Sequence, residues 1–226
     1  MKSLIQKPHL LRQSLLKLEP SQIQAAIQSL TDEQAKALMY DWRFWARPEQ
    51  LPPPEPWAIW MLLAGRGYGK TRIEVEWTRE KVEAGELGRL AIVARTAADV
   101  RDVLIEGESG FMAKCPPWAY PKWELSRSRL TWPNGAIATT YSADNPDTLR
   151  GPQHDGAICD ELATWRYPEA WDNLMMGLRI GKHPQAVVAT TPKPVKLLKD
   201  ILALPDVKVT RGSTYENREY SPHTWG

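Results

Sequence analysis

Cysteine is almost missing from this chain: of 226 residues only Cys115 and Cys159 carry a thiol. Two thiols suit a reducing compartment and leave no cysteine metal site. Cys159 sits inside an apolar run, the setting of a buried and inert thiol. No apolar stretch is long enough to cross a bilayer. The N-terminal MKSLIQKPHLLRQSLLKLEP mixes polar and apolar residues without the core of a signal peptide, so no membrane partner is expected. Neither charge sign dominates. A net charge of +2 neither demands nor excludes nucleic acid, and a DNA-binding face has to come from local patches. Internal repeats and low-complexity tracts are absent as well.

What is present describes a globular protein, 25% charged and 42% hydrophobic, long enough for one α/β domain with an appendage. Tryptophan is abundant, with 11 residues, most of which read as core or interface anchors. Residues 1–46 read as a helical appendage. Thr31-Asp32-Glu33-Gln34 has capping-box spacing, and Ala35, Leu38, Met39 and Trp42 follow at helical intervals. The prolines at 52, 53, 54 and 56 then enforce an extended link. Gln50, just before them, can read the polar edge of a base or lie in an ordinary surface loop.

The chain is organised around Trp57–Thr71. An apolar run ends in Gly65-Arg66-Gly67-Tyr68-Gly69-Lys70-Thr71, and Ile73, Val75, Trp77 and Val82 continue as a helix. Strand, glycine loop and helix are the context of a phosphate-binding loop. Glycines let backbone N–H groups approach a polyphosphate, and the helix N-terminus favours anions. Lys70 would reach the β- and γ-phosphates and the Thr71 hydroxyl would hold Mg²⁺. Ala64 stands where the full pattern has its first glycine. The competing reading is a glycine-rich turn with a chance lysine.

Further buried strands are expected at Leu90–Ala94, Ala157–Cys159 and Ala186–Ala189, and a last strand at Val207–Thr210. Thr96 can cap a helix with Val100, Val103 and Leu104 on one face. Residues 107–121 read as loop. Strands near Trp123–Leu125, Leu130–Trp132 and Ala136–Tyr141 read as a small antiparallel insert. Its Arg127 and Arg129 can touch a phosphate backbone or lie on a solvated hairpin. Pro168 starts another helix. Residues 211–226 read as a tail or linker. Strands alternating with helices imply a mostly parallel sheet with its ligand at the strands' C-terminal ends.

Those ends carry the chemistry. Asp160 would hold Mg²⁺ and Glu161 would orient and deprotonate the attacking water. Thr190 and Thr191 close a strand expected beside the glycine-loop strand, where a hydroxyl can sense the γ-phosphate or simply end a strand. Arg150, before a flexible glycine, can neutralise charge on the transferred phosphoryl group, with Arg66 as the competing candidate. His154 and Thr164 read as structural.

Taken together, DWRFWARPEQLPPP, AGRGYGKTR, LRGPQHDGAICDELATW and VVATTPKP resemble the ATPase domain of the large terminase subunit of tailed bacteriophages. The resemblance covers most of residues 40–215 in the family's order. It implies a RecA-like ASCE P-loop fold with a core at 47–210, and an ATP hydrolase powering translocation of double-stranded DNA into a viral procapsid. It assigns nucleotide contacts to Gln50, Gly65, Arg66, Gly67, Tyr68, Gly69, Lys70, Thr71 and Arg72, and metal contacts to Thr71 and Asp160. Catalysis falls to Glu161, Lys70 and Arg150, and coupling to Thr190 and Thr191, with Pro192 in the same motif. The implied cofactor is Mg²⁺ and the substrate ATP. The implied partners are DNA, a portal protein, a small terminase subunit and further copies in a ring, in the host cytoplasm. The chain stops in GSTYENREYSPHTWG, about where a linker to a nuclease domain begins, so no nuclease activity is expected of it. A cellular helicase-like ATPase would need a second RecA-like domain or helicase motifs. A non-hydrolysing nucleotide switch is opposed by the intact Lys70, Thr71, Asp160 and Glu161.

Overall fold

The computed structural model describes residues 18–213 and divides the chain into two compact units, Met1–Leu51 and Pro52–Gly226. The division falls in the proline-rich link.

In the first unit, α1 (Pro20–Gln28), α2 (Asp32–Met39) and α3 (Trp42–Trp45) follow one another. The capping box at α2 forms: the Gln34 N–H donates to Thr31 Oγ1 at 3.2 Å, and the Thr31 N–H donates to Gln34 Oε1 at 3.0 Å. Asp41 caps α3 through the Arg43 N–H. Residues 1–17, read as part of this appendage, lie outside the described residues.

The second unit is a single eight-stranded sheet in the order β3-β4-β5-β2-β6-β7-β1-β8. Its strands are β1 (Ile59–Ala64), β2 (Arg89–Ala94), β3 (Lys122–Glu124), β4 (Arg129–Thr131), β5 (Ile137–Ser142), β6 (Gly156–Asp160), β7 (Gln185–Thr190) and β8 (Val207–Gly212). The pairings are parallel except β3–β4 and β4–β5. The central strands β1, β6 and β7 are almost continuously buried, which is why they read as unbroken apolar runs. β7 lies between β1 and β6, so the glycine-loop strand and the acidic strand are separated by the strand ending in threonine.

The antiparallel insert is less separate than the sequence implied. β5 pairs parallel with β2 from Arg89↔Ile137 to Ala94↔Ser142, so the β3–β4 hairpin extends the main sheet. β8 runs to Gly212, two residues into the segment that shows no periodicity. Residues 214–226 lie outside the described residues.

The helices are α4 (Lys70–Glu83), α5 (Ala97–Asp99), α6 (Phe111–Lys114), α7 (Glu169–Gly177) and α8 (Lys196–Leu202). Residues 107–121 are thus not loop throughout, since they contain α6 and a 3₁₀ turn at Pro117–Ala119. Thr96 caps α5, but the chain continues as a π-helix, Val100–Ile105, and the wider turn leaves Val103 exposed while Val100 and Leu104 are buried. α4 buries charge as well as apolar side chains. Glu76 accepts from Arg79 Nε at 2.7 Å and pairs with Arg72 at 2.5 Å, while Arg79 also reaches Glu83 at 2.6 Å. Buried charges of this kind hold only when each has a partner.

Candidate active site

β1 delivers the chain into the loop 65–69, and α4 starts at Lys70. Gly67 (φ 74°) and Gly69 (φ 96°) occupy the left-handed region, where a Cβ would be strained. Lys70 is buried, and its Nζ donates to Ala64 O at 3.0 Å, Gly65 O at 3.3 Å and Thr191 Oγ1 at 3.3 Å. Glu161 Oε1 stands 3.3 Å from the same nitrogen.

Glu161 follows β6 in a left-handed conformation (φ 47°, ψ 45°) that no glycine relieves. Such a conformation costs on the order of 1–3 kcal/mol and persists where the surroundings hold it. Here the holding contacts are the Thr191 N–H, donating to Glu161 Oε2 at 3.1 Å, and the Thr191 hydroxyl, 3.2 Å from Oε1. The neighbouring Thr190 is fully buried and its Oγ1 accepts from the Ala163 N–H, tying the end of β7 to the turn after β6.

These ends face a cleft of ≈ 440 Å³ lined by Arg66, Gly67, Lys70, Thr71, Ala94, Arg95, Asp99, Val103, Asp160, Glu161 and Thr164. That volume suits a nucleotide-sized ligand. Its lining carries both signs, Arg66, Lys70 and Arg95 against Asp99, Asp160 and Glu161. Burial, reinforced by Glu161 and opposed by Lys70, lifts the Asp160 carboxyl to about 7. Behind the cleft Glu74, one helical turn after Lys70, is 0% exposed and neither of its oxygens has a hydrogen-bond partner. Burial, then Asp160 and Glu161, push its carboxyl well above the ordinary range. Burial also raises the Cys159 thiol, in keeping with an inert group.

The fold therefore brings together Arg66, Gly67, Lys70, Thr71, Asp160 and Glu161 from distant parts of the chain, with Thr191 joined to them by hydrogen bonds. Other candidates are placed elsewhere. The Arg72 side chain turns along α4 to Glu76 and does not line the cleft. Tyr68 is fully buried, which leaves its backbone for a ligand. Arg150 is 66% exposed, lies outside the cleft lining and pairs with Asp147 at 3.3 Å. Gln50 belongs to the first unit, where its Oε1 accepts from the Arg47 N–H.

Sequence reasoning missed Arg95, Asp99, Thr164 and Glu74. Asp99 is the reciprocal partner of the Thr96 cap, so its second role on the cleft was hidden by a satisfactory local explanation. Thr164 donates to the Glu161 carbonyl at 2.7 Å and so braces the strained residue. Glu74 had a usable signal, its i,i+4 spacing from Lys70.

The donor set fits Mg²⁺: a hydroxyl at Thr71 and a buried carboxyl at Asp160, both on the cleft, are hard oxygen ligands.

A family model described as terminase large subunit, T4-like-virus type, N-terminal, matches residues 61–205, more than half of the chain. The chain belongs to this family. As a terminase large subunit it is a protein of phage DNA packaging. Solved structures share its fold. The large terminase ATPase domain of Thermus phage P74-26 is 18% identical, with a TM-score of 0.60 over 85% of this chain and 90% of that one. The large terminase of a thermophilic bacteriophage is 13% identical, with a TM-score of 0.62 over 84% of this chain and 50% of that one. The N-terminal domain of the DNA packaging ATPase of bacteriophage phi29 is 14% identical, with a TM-score of 0.53 over 69% of this chain and 90% of that one. The terminase chain thus spans about half the length of the thermophilic phage protein. No curated protein matches it.

Proposed function

We propose that this terminase chain binds ATP in the cleft, hydrolyses it with Mg²⁺, and passes the result to double-stranded DNA as movement into a procapsid. The observation that carries the reading is the convergence of Lys70, Glu161 and Thr191 on one another at the mouth of the glycine loop. The thermophilic phage large terminase has been captured with ATP-γ-S and with ADP, which supports a nucleotide in this fold.

The backbone N–H groups of the glycine loop cradle the phosphates, and Lys70 leaves the Ala64 and Gly65 carbonyls for the β- and γ-phosphates. Thr71 and Asp160 hold the metal, which when bound neutralises charge on the phosphate oxygens. Glu161 orients the attacking water and takes its proton. Thr191, bonded to Glu161 and Lys70 alike, reports the change to β7. Arg66 lies along the phosphates. Arg150 completes the site of a neighbouring copy in a ring. The other partners are the portal and the small subunit, in the host cytoplasm. DNA cleavage is not expected from this chain.

Steady-state phosphate release tests the reading. Lys70→Ala should abolish ATP binding, and Glu161→Gln should bind ATP without turning it over. Wild-type affinity in the first or normal turnover in the second overturns it.

A further inference from the structure

Tyr68 belongs to the glycine loop, yet its side chain is 0% exposed. Its ring lies against Gly212, the last residue of β8. A Cβ at Gly212 would come 2.0 Å from Tyr68 Cε2, 2.5 Å from Cδ2 and 2.6 Å from Cζ, far inside any real contact distance. Gly212 is not among the glycines with positive φ, so its backbone accepts any residue. The space taken by the ring is what requires glycine there. The main chains meet at the same point: β1 and β8 pair as far as Ala64↔Gly212, and the Gly65 N–H donates to Gly212 O at 3.3 Å. Trp60 Nε1 donates to Thr210 Oγ1 at 2.9 Å one turn of the pleat earlier.

Tyr68 stands between Gly67 and Gly69, the two left-handed glycines of the loop. Glycine gives the loop its shape and also the largest conformational freedom to lose on binding. A buried aromatic ring between them is the means of removing that freedom in advance, and preorganisation of this kind raises affinity. Among the described residues β8 is an edge strand, paired with β1. Any displacement of β8 would meet the loop through this ring contact.

We propose that Tyr68 and Gly212 are positioning residues for nucleotide binding: the ring, seated in the notch that Gly212 leaves in β8, holds the glycine loop in its phosphate-receiving shape. The inference rests on the nucleotide reading above. It makes the position of the edge strand an input to nucleotide affinity.

The test is equilibrium binding of a fluorescent ATP analogue to the full chain as wild type, Lys70→Ala, Gly212→Ala, Tyr68→Ala and Gly212→Ala/Tyr68→Ala. Gly212→Ala and Tyr68→Ala should each weaken binding about tenfold or more. The double variant should bind no more weakly than Tyr68→Ala alone, because the added methyl then has no ring to displace. If wild type does not bind, or binds no better than Lys70→Ala, the nucleotide reading itself falls. If wild type binds through Lys70 but Gly212→Ala matches it, or the two losses multiply in the double variant, the coupling is overturned. Should Gly212→Ala fail to fold, amide exchange of residues 65–69 decides: it should quicken in Tyr68→Ala, and unchanged exchange overturns the proposal.

Discussion

Glu161 Oε1 stands 3.3 Å from Lys70 Nζ, and the same carboxylate receives both the N–H and the hydroxyl of Thr191. The group proposed as the base and the group proposed to grip the phosphates therefore neutralise each other. On the proposed reading ATP would draw Lys70 away, and that step would free Glu161 for water. Glu161→Gln removes the charge that holds Lys70. It should bind ATP at least as tightly as wild type while losing roughly 10²–10⁴ in turnover. Calorimetric binding alongside single-turnover hydrolysis checks both halves. Weaker ATP binding by the glutamine variant would show that the carboxylate helps rather than competes.

The Asp160 carboxyl, lifted to about 7 first by burial and then by Glu161, ties stability to metal and pH. Its folded value lies above the unfolded one. The stability it contributes is thus fully present below the ordinary carboxylate range and is lost as pH rises through about 7. Mg²⁺, held there as proposed, would bind the ionised form and reverse the loss. Thermal unfolding should show a larger Mg²⁺-induced rise in Tm at pH 8 than at pH 6, and Asp160→Asn should abolish the difference. Equal shifts at the two pH values would separate Asp160 from the metal.

The sheet was readable because strands buried on both faces are continuous apolar runs, as in Ile59–Ala64 and Gln185–Thr190. The polar ends of those strands gave the cleft its Lys70, Asp160 and Glu161. Pairing partners are a different matter. Nothing local in Ile137–Ser142 says that it lies parallel to β2 rather than closing a separate hairpin. The π-helical turn at Val100–Ile105 keeps a helical pattern while changing which side chains face inward, so Val103 was misplaced. α4 is buried on nearly every side, with Glu74, Glu76 and Arg79 inside, whereas the sequence pattern singled out only Ile73, Val75, Trp77 and Val82. Glu76 and Arg79 pair three and four residues away along α4, whereas the i,i+4 spacing of Glu74 from Lys70 closes no hydrogen bond.

Glu74 is the group in this unit whose burial is hardest to account for, with both oxygens unpartnered. Burial is the main cause that raises its carboxyl, so it costs stability progressively as pH rises above its ordinary 4.5. Glu74→Gln keeps the shape and removes the ionisation. Urea unfolding should show the variant gaining steadily on wild type as pH rises from 5 to 8. A constant difference across that range would mean that Glu74 has an ionic partner after all.

Arg150 presents the opposite case, a functional candidate that the fold leaves in solvent. It is 66% exposed, it pairs weakly with Asp147 at 3.3 Å, and it does not line the cleft of its own chain. An exposed ion pair of this kind contributes little to stability, so the arginine is free to serve another site at small cost. Gly151, with φ 99°, gives the loop a turn that only glycine adopts easily. A guanidinium supplied at a subunit boundary would make hydrolysis depend on assembly. Arg150→Ala should leave ATP affinity and Tm nearly unchanged while removing ~10³–10⁵ of turnover under ring-forming conditions. The decisive experiment mixes Arg150→Ala subunits, whose pocket is intact, with Lys70→Ala subunits, whose arginine is intact. The mixture should regain ATPase activity that neither shows alone. If wild-type turnover depends on concentration but no mixing ratio restores it, Arg150 does not act on its neighbour. Arg66, which already lines the cleft in its own chain, then takes the role.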